Sequence, residues 1–226
     1  MATAAEADLD IEVVTESPPR FKARPGARRR GRPADSDGLT GQRILAAARE
    51  CFAESGYVAA STHMVASRVG LTTGALYHHF GSKRELYLAV FDEVEEFMYE
   101  RFRTAAEPHP TFVAKVEALL DEAARLGKTE PTVAGFALSI AGDLARHADL
   151  QEAVETALLR RDSFFTEVVD AGIATGEVAK ADRQPVMDML TTMVGGLILV
   201  GTGLPGAQNR AVKGFKRLLA GTLIKS

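Results

Sequence analysis

The chain has no tryptophan and a single cysteine among its 226 residues. One cysteine cannot close an internal disulfide, which points to a reducing compartment. The acidic N-terminus lacks the basic-then-apolar pattern of a signal peptide, so the cytoplasm is the expected home. The longest uninterrupted apolar run, Met193–Val200, is far short of the roughly 20 residues that span a bilayer, and no membrane partner is expected. Sustained strand alternation is missing throughout, which leaves an all-α chain. His63, His109 and His147 have no partner at metal-ligand spacing. His78 and His79 are adjacent, and side chains one residue apart on a helix diverge, so they cannot share an ion. No acid, base and nucleophile converge in the sequence. The expectation is therefore no metal, no cofactor and no enzyme.

What is present is a charge asymmetry hidden by a net charge of −3. Residues 1–19 hold five acids and no base, while residues 20–34 hold seven bases and no acid. From Glu85 onward acids again exceed bases. A basic block of this kind reads either as a solubilising tail or as a contact for a polyanion. Residues 1–38, rich in Pro and Gly and poor in large apolar residues, read as a disordered arm.

From Thr40 the pattern turns helical. Ile44, Leu45, Ala48, Cys51 and Phe52 recur at three- and four-residue spacing, the stripe of a helix with one buried face. Cys51 falls on that stripe and reads as a core thiol. Gly56 ends the helix. Ser61 caps a short helix over about 62–69, ended by Gly70, and Thr72 caps another over about 73–79. Ser82-Lys83-Arg84-Glu85 is a capping box that opens a long helix with the stripe Leu86, Val90, Phe91, Val94, Phe97 and Met98. Further helices are expected at 111–127, 131–146, 149–175, 183–202 and 207–224.

Two short helices joined by Gly70-Leu71-Thr72 make a helix-turn-helix, whose second helix enters the major groove of DNA. Thr72 and Thr73 then stand where base edges come within reach. Gly74 leaves room for close approach. Ala75 and Leu76 turn inward with Phe80, toward Ile44, Phe52 and Val65. Tyr77 and His78 lie outside, able to donate to phosphate oxygens. His79 reads as a packed or capping histidine. Lys83 sits in the first turn of the next helix, a natural phosphate seat. Tyr77 also admits a second reading as a half-buried aromatic.

Phe52-Ala53-Glu54-Ser55-Gly56-Tyr57, Val65-Ala66, Gly70, and Gly74-Ala75-Leu76-Tyr77-His78-His79-Phe80 with Ser82-Lys83 resemble the TetR family of transcriptional regulators over about residues 40–90. The resemblance implies DNA-facing positions at Ser61, Thr62, Thr72, Thr73, Gly74, Tyr77, His78 and Lys83. It implies a three-helix DNA-binding domain over 39–85, with its helix-turn-helix at about 61–80, and a helical effector-binding and dimerisation domain over 86–226. The homodimer is expected through about 183–224, with double-stranded operator DNA and a small-molecule effector as the other partners. The implied function is a dimeric repressor released from its operator by that effector. Two positions depart from the family pattern. Met64 stands where an acid is common, and Thr73 where lysine is.

Arg30-Gly31-Arg32-Pro33 resembles the core of an AT-hook, in which Arg30 and Arg32 lie along the minor groove; a generic basic tail remains the other reading. Gly201-Thr202-Gly203-Leu204-Pro205-Gly206 spells G-x-G-x-x-G, but a dinucleotide fold needs a preceding strand and a further strand with an acid about twenty residues on. The glycines read instead as a break between the last two helices. Gly195 and Gly196 suit close helix approach at a dimer interface. Phe97, Met98, Phe102, Phe112, Phe136, Phe164 and Phe165 are the candidate lining of an effector cavity, suited to an apolar or amphipathic ligand.

Overall fold

The computed structural model describes the backbone of residues 35–203 and 206–223, and their side chains except at 35–37, 155–162 and 202–203. No strand occurs among the described residues. The helices are α1 (Asp35–Ala59), α2 (Thr62–Arg68), α3 (Thr73–His79), α4 (Lys83–Ala106), α5 (Phe112–Thr129), α6 (Pro131–Arg146), α7 (Ala148–Ala174), α8 (Arg183–Gly203) and α9 (Ala207–Leu219), with a short 3₁₀ turn at Lys180–Asp182. The all-α expectation holds, and most helix ends fall within two residues of the sequence reading.

Three boundaries differ, one being the end of α1, which runs on past a kink at Gly56 to Ala59. The first helix begins at Asp35, so four residues assigned to the arm are helical. Asp-Ser-Asp is a helix-opening composition, because acids suit the positive end of the helix dipole, and the apolar stripe from Ile44 hides this start. The last helix ends at Leu219 rather than near 224, with Gly221 in a left-handed conformation just beyond. Arg30 and Arg32 lie outside the described residues, as do Leu204 and Pro205.

The short helices form because their caps are local. Ser61 Oγ accepts the backbone N–H of Met64 at 3.2 Å, Thr72 Oγ1 that of Ala75 at 3.2 Å, and Ser82 Oγ that of Glu85 at 3.0 Å. Each satisfies one of the donors that a helix start leaves unpaired. Gly70, at φ 70°, takes the left-handed position after α2, where a side chain would be strained. Gly70 N–H then bonds to Ser67 O and Leu71 N–H to Ala66 O, closing the helix end.

The apolar stripes meet in one continuous core. Ile44, Ala48, Cys51 and Phe52 of α1, Val65 and Ala66 of α2, Leu76 of α3, and Leu86 and Val90 of α4 are all buried in it. The core continues along α4 through Phe91, Val94, Met98 and Phe102 to α5 and α7. Burial also pushes the Cys51 thiol above its ordinary pKa, with the Arg68 charge opposing, so the thiol is a packed, protonated group. Helix α6 lies against α1, and α8 packs on α5, α7 and α9.

Helix α9 is tied to its neighbours by a buried amide. Gln208 Nε2 donates to Leu197 O of α8 at 3.1 Å and reaches Ala123 O of α5 at 3.5 Å. Gly201 and Gly127 clear the space, since a Cβ at either would stand 2.5 Å and 2.8 Å from that nitrogen. The G-x-G-x-x-G stretch is thus the end of α8 and the approach to α9, with no strand before it. Composition gives one correction. Lys180–Gly201 is long and apolar enough to cross a membrane, at mean hydropathy 1.3, although a third of it is buried in the fold. Counting only the uninterrupted run missed this, because Asp188, Thr191 and Thr192 separate it from the apolar residues upstream.

Candidate nucleic-acid interface

Helix α3 turns Leu76 fully into the core and leaves its opposite face outside. Three consecutive residue types sort by helical angle. Leu76 is buried, Tyr77 is 43% exposed, and His78 is exposed. Gly74 is exposed, and a Cβ there would meet nothing nearer than Thr72 Oγ1 at 4.0 Å. Nothing among the described residues therefore requires glycine at that position. Thr73 is half-buried at the start of the helix.

Helix α2 braces α3 through a polar contact. Thr62 Oγ1 and the Tyr77 hydroxyl stand 3.1 Å apart at the surface. The pair fixes where the phenol points, and it leaves each oxygen able to make a second bond outward. Ser61 and Thr72 spend one acceptor lone pair on their helix caps, and both remain exposed. Ser61, Thr62, Thr72, Thr73, Gly74, Tyr77 and His78 thus fall on α2, on α3 and at their starts. His79 is half-buried, its ring 6.0 Å from that of His78 and nearly perpendicular to it. Among the described residues no group of three or more metal-ligating side chains gathers.

Lys83 differs from the sequence reading. Its ammonium donates to Val58 O at 3.0 Å and lies 4.8 Å from the centre of the Tyr57 ring. Burial lowers its pKa, opposed by the Asp143 charge. The side chain folds back to hold the end of α1 instead of standing free at the helix start. Its partner lies 25 residues earlier in the sequence, so spacing could not reveal it.

Other residues that steady this surface escaped the sequence reading. Arg43 donates to Val69 O at 3.1 Å, fixing the end of α2 to α1. Arg68 of α2 pairs with Glu50 and Glu54 of α1. The signal was present in part, since Glu50 and Glu54 stand four apart on the exposed face of α1 and offer a ready acceptor pair.

The seven candidate effector-lining residues are not gathered around one space. Phe102, Phe164 and Phe165 stack together with Tyr99. Phe136 instead packs on Phe52 and Tyr87, beside the first helices. Phe112 lies against Gly172, where an added Cβ would stand 2.7 Å from its ring. Phe97 is half-buried with Arg101 over its ring, and Met98 is in the core. Aromatic spacing alone could not divide these roles, because all seven sit on core-facing stripes. An open apolar cleft lies elsewhere, between α8 and α9. It measures about 610 Å³ and is lined by Met189, Met193, Gly196, Leu197, Val200 and Phe215 among others.

Comparison with known proteins places this geometry. The family described as bacterial regulatory proteins, tetR family, matches residues 44–90. A stretch of 107 residues is 39% identical to the HTH-type transcriptional activator FasR of Mycolicibacterium smegmatis, covering 45% of this chain and 48% of that protein. The match therefore spans about half the length of that relative. Among solved structures, a TetR transcriptional regulator from Chloroflexus aurantiacus superposes with TM-score 0.69 at 25% identity, over 82% of this chain and 96% of that one. The regulator FadR from Bacillus subtilis, solved in complex with stearoyl-CoA, has the same fold, with TM-score 0.69 at 18% identity over 81% of this chain and 99% of that one.

Proposed function

We propose that this chain, which belongs to the TetR family of transcriptional regulators, binds operator DNA as a cytoplasmic homodimer and is released by a small apolar or amphipathic effector. The observation that carries the reading is the outer face of α3. Gly74, Tyr77 and His78 are exposed and Thr73 half-buried at the helix start, while Leu76 anchors the helix from behind. Thr72 and Thr73 are placed to meet base edges, and Tyr77 and His78 to meet phosphate oxygens. Lys83 acts mainly by holding α1 in register with α4.

Pairing through about 183–219 is supported by helix α8. Leu199 is 61% exposed and Met189 39%, on a helix apolar enough to need a cover. A Cβ at Gly195 or Gly196 would meet nothing within 4 Å among the described residues, which leaves both open to a second copy. A symmetric contact there sets two α3 helices side by side, and successive major grooves require a spacing of about 34–36 Å. An effector that favours another spacing moves the equilibrium off DNA by its differential affinity for the two arrangements. The stearoyl-CoA held by the structurally similar FadR is an amphipathic ligand, which supports that class of effector here. Residues 1–34, with Arg30 and Arg32, would add an arm to the minor groove. We assign repression as the sense of control, in contrast to the activator FasR.

The test is to select DNA fragments with the purified protein, sequence them, and measure binding across a salt series beside light scattering. A paired half-site and a steep loss of affinity with salt support the reading. A monomer at micromolar concentration, or no sequence preference, ends it.

A further inference from the structure

The most deeply buried carboxylate among the described residues takes no part in the reading above. Asp143 of α6 is 1% exposed. Its Oδ2 accepts the backbone N–H of Tyr57 at 3.1 Å and the hydroxyl of Tyr87 at 3.1 Å. The guanidinium of Arg146 stands 3.5 Å from Oδ1. A carboxylate removed from water is destabilising unless donors replace the solvent, and here three elements supply them. Burial, and after it the Asp143 charge, raise the pKa of the Tyr87 hydroxyl, which keeps it a donor.

The position of this group matters more than its burial. Helices α1 and α6 run side by side in the same sense. Arg49 Nε donates to Thr132 Oγ1 at 3.3 Å, Phe52 and Phe136 lie 6.3 Å apart, and a Cβ at Gly135 would come 3.2 Å from that of Ala53. Asp143 closes the series at the kink of α1, where Gly56 takes φ 70° and ψ 177°. A Cβ on Gly56 would stand 3.3 Å from Asp143 Oδ1. Lys83 of α4 holds the other side of the kink through Val58 O. From the kink the chain passes through Ala60 to Ser61 and so into α2 and α3. Helix α4 reaches the same point through Lys83 and Tyr87, while α6 supplies the carboxylate that takes the backbone N–H of the kink.

We infer that Asp143 fastens the DNA-reading helices to the rest of the fold, so that the position of α6 sets the orientation of α2 and α3. It is a positioning residue, and its effect on DNA rests on the function proposed above. A ligand that shifts α6 turns the reader through the α1 kink, with α4 joined to the same carboxylate through Tyr87.

The test uses the full chain with spin labels on two exposed positions, Ser67→Cys of α2 and Glu167→Cys of α7, diluted into unlabelled protein so that only distances within one chain are read. Cys51 is buried and stays unlabelled. Asp143→Ala is expected to broaden the distance distribution at least two-fold and to weaken binding to DNA selected by the unsubstituted protein by tenfold or more. Asp143→Asn keeps an acceptor oxygen and is expected to restore most of both. A folded Asp143→Ala protein with an unchanged distribution overturns the inference. Should that variant fail to fold, Tyr87→Phe removes one bond and is read in the same way. If the unsubstituted protein selects no DNA, the regulatory reading falls while the distance measurement still decides the fastening.

Discussion

Replacing Gly74 by alanine should move stability and DNA affinity in opposite directions. Gly74 lies in the first turn of α3, and its backbone lies outside the positive-φ region that favours glycine. A methyl group added there has open space among the described residues, with only Thr72 Oγ1 at 4.0 Å. Alanine restricts the unfolded chain and favours helix, which is worth about 0.4–1 kcal/mol to the fold. For a chain of this size that corresponds to a rise in Tm of roughly 1–4 °C. If α3 lies in the major groove with Gly74 against DNA, the same methyl occupies space that the duplex needs. Overpacking a close interface costs about 1–3 kcal/mol, a loss of roughly five- to 150-fold in affinity. Differential scanning fluorimetry and fluorescence anisotropy on a selected operator would measure both. A variant that melts higher and binds as tightly as the unsubstituted protein would refute the placement of Gly74 at the DNA surface. A variant that melts lower would refute the description of α3 itself.

Tyr77→Phe should lower operator affinity several-fold while leaving the melting temperature nearly unchanged, because its hydroxyl contact with Thr62 is exposed. Lys83→Met should do the reverse, losing about 1 kcal/mol of stability with its bond to Val58 O and affecting DNA less than Tyr77→Phe. Equal losses of affinity in a gel shift would contradict that division. Met189→Glu, exposed at the apolar cleft between α8 and α9, should shift the protein toward monomer in sedimentation velocity, and an unchanged dimer would place the contact elsewhere. Glu177 accepts the backbone N–H of Phe112 at 2.9 Å and the hydroxyl of Thr175 at 2.8 Å, which hold its pKa below the ordinary 4.5. A depressed folded value means that the stabilisation is present above the unfolded pKa and is lost as pH falls through the folded one. Glu177→Gln should therefore flatten the acid limb of a stability-against-pH curve below about pH 4.5 and leave the neutral region with the same slope. An unaltered acid limb would show that another carboxylate governs it.

What could be read from the sequence was the part governed by neighbours in the chain. Ser61, Thr72 and Ser82 announce helix starts because each bonds a backbone N–H three residues on. Gly70 announces a stop because the turn needs a left-handed residue. The inward face of α3 followed from Leu76 and its spacing against Ile44 and Val65. What could not be read depends on partners distant in the chain. Asp143 looks like an ordinary polar residue on an amphipathic helix, and only the fold brings it to Tyr57, 86 residues earlier. Lys83 has the residue type and position of a phosphate contact, yet a carbonyl from another helix claims its ammonium. The aromatic candidates for an effector cavity share one pattern, core-facing at helical spacing, and that pattern cannot say which hydrophobic neighbour each will find.

The amide of Gln208 has a consequence for how two copies would meet. By tying α9 to α8 and α5 in a single chain, it sets the shape of that outer surface before any encounter. Pairing through that surface, as proposed above, would then lose less freedom of α9 on contact than docking of an untethered helix.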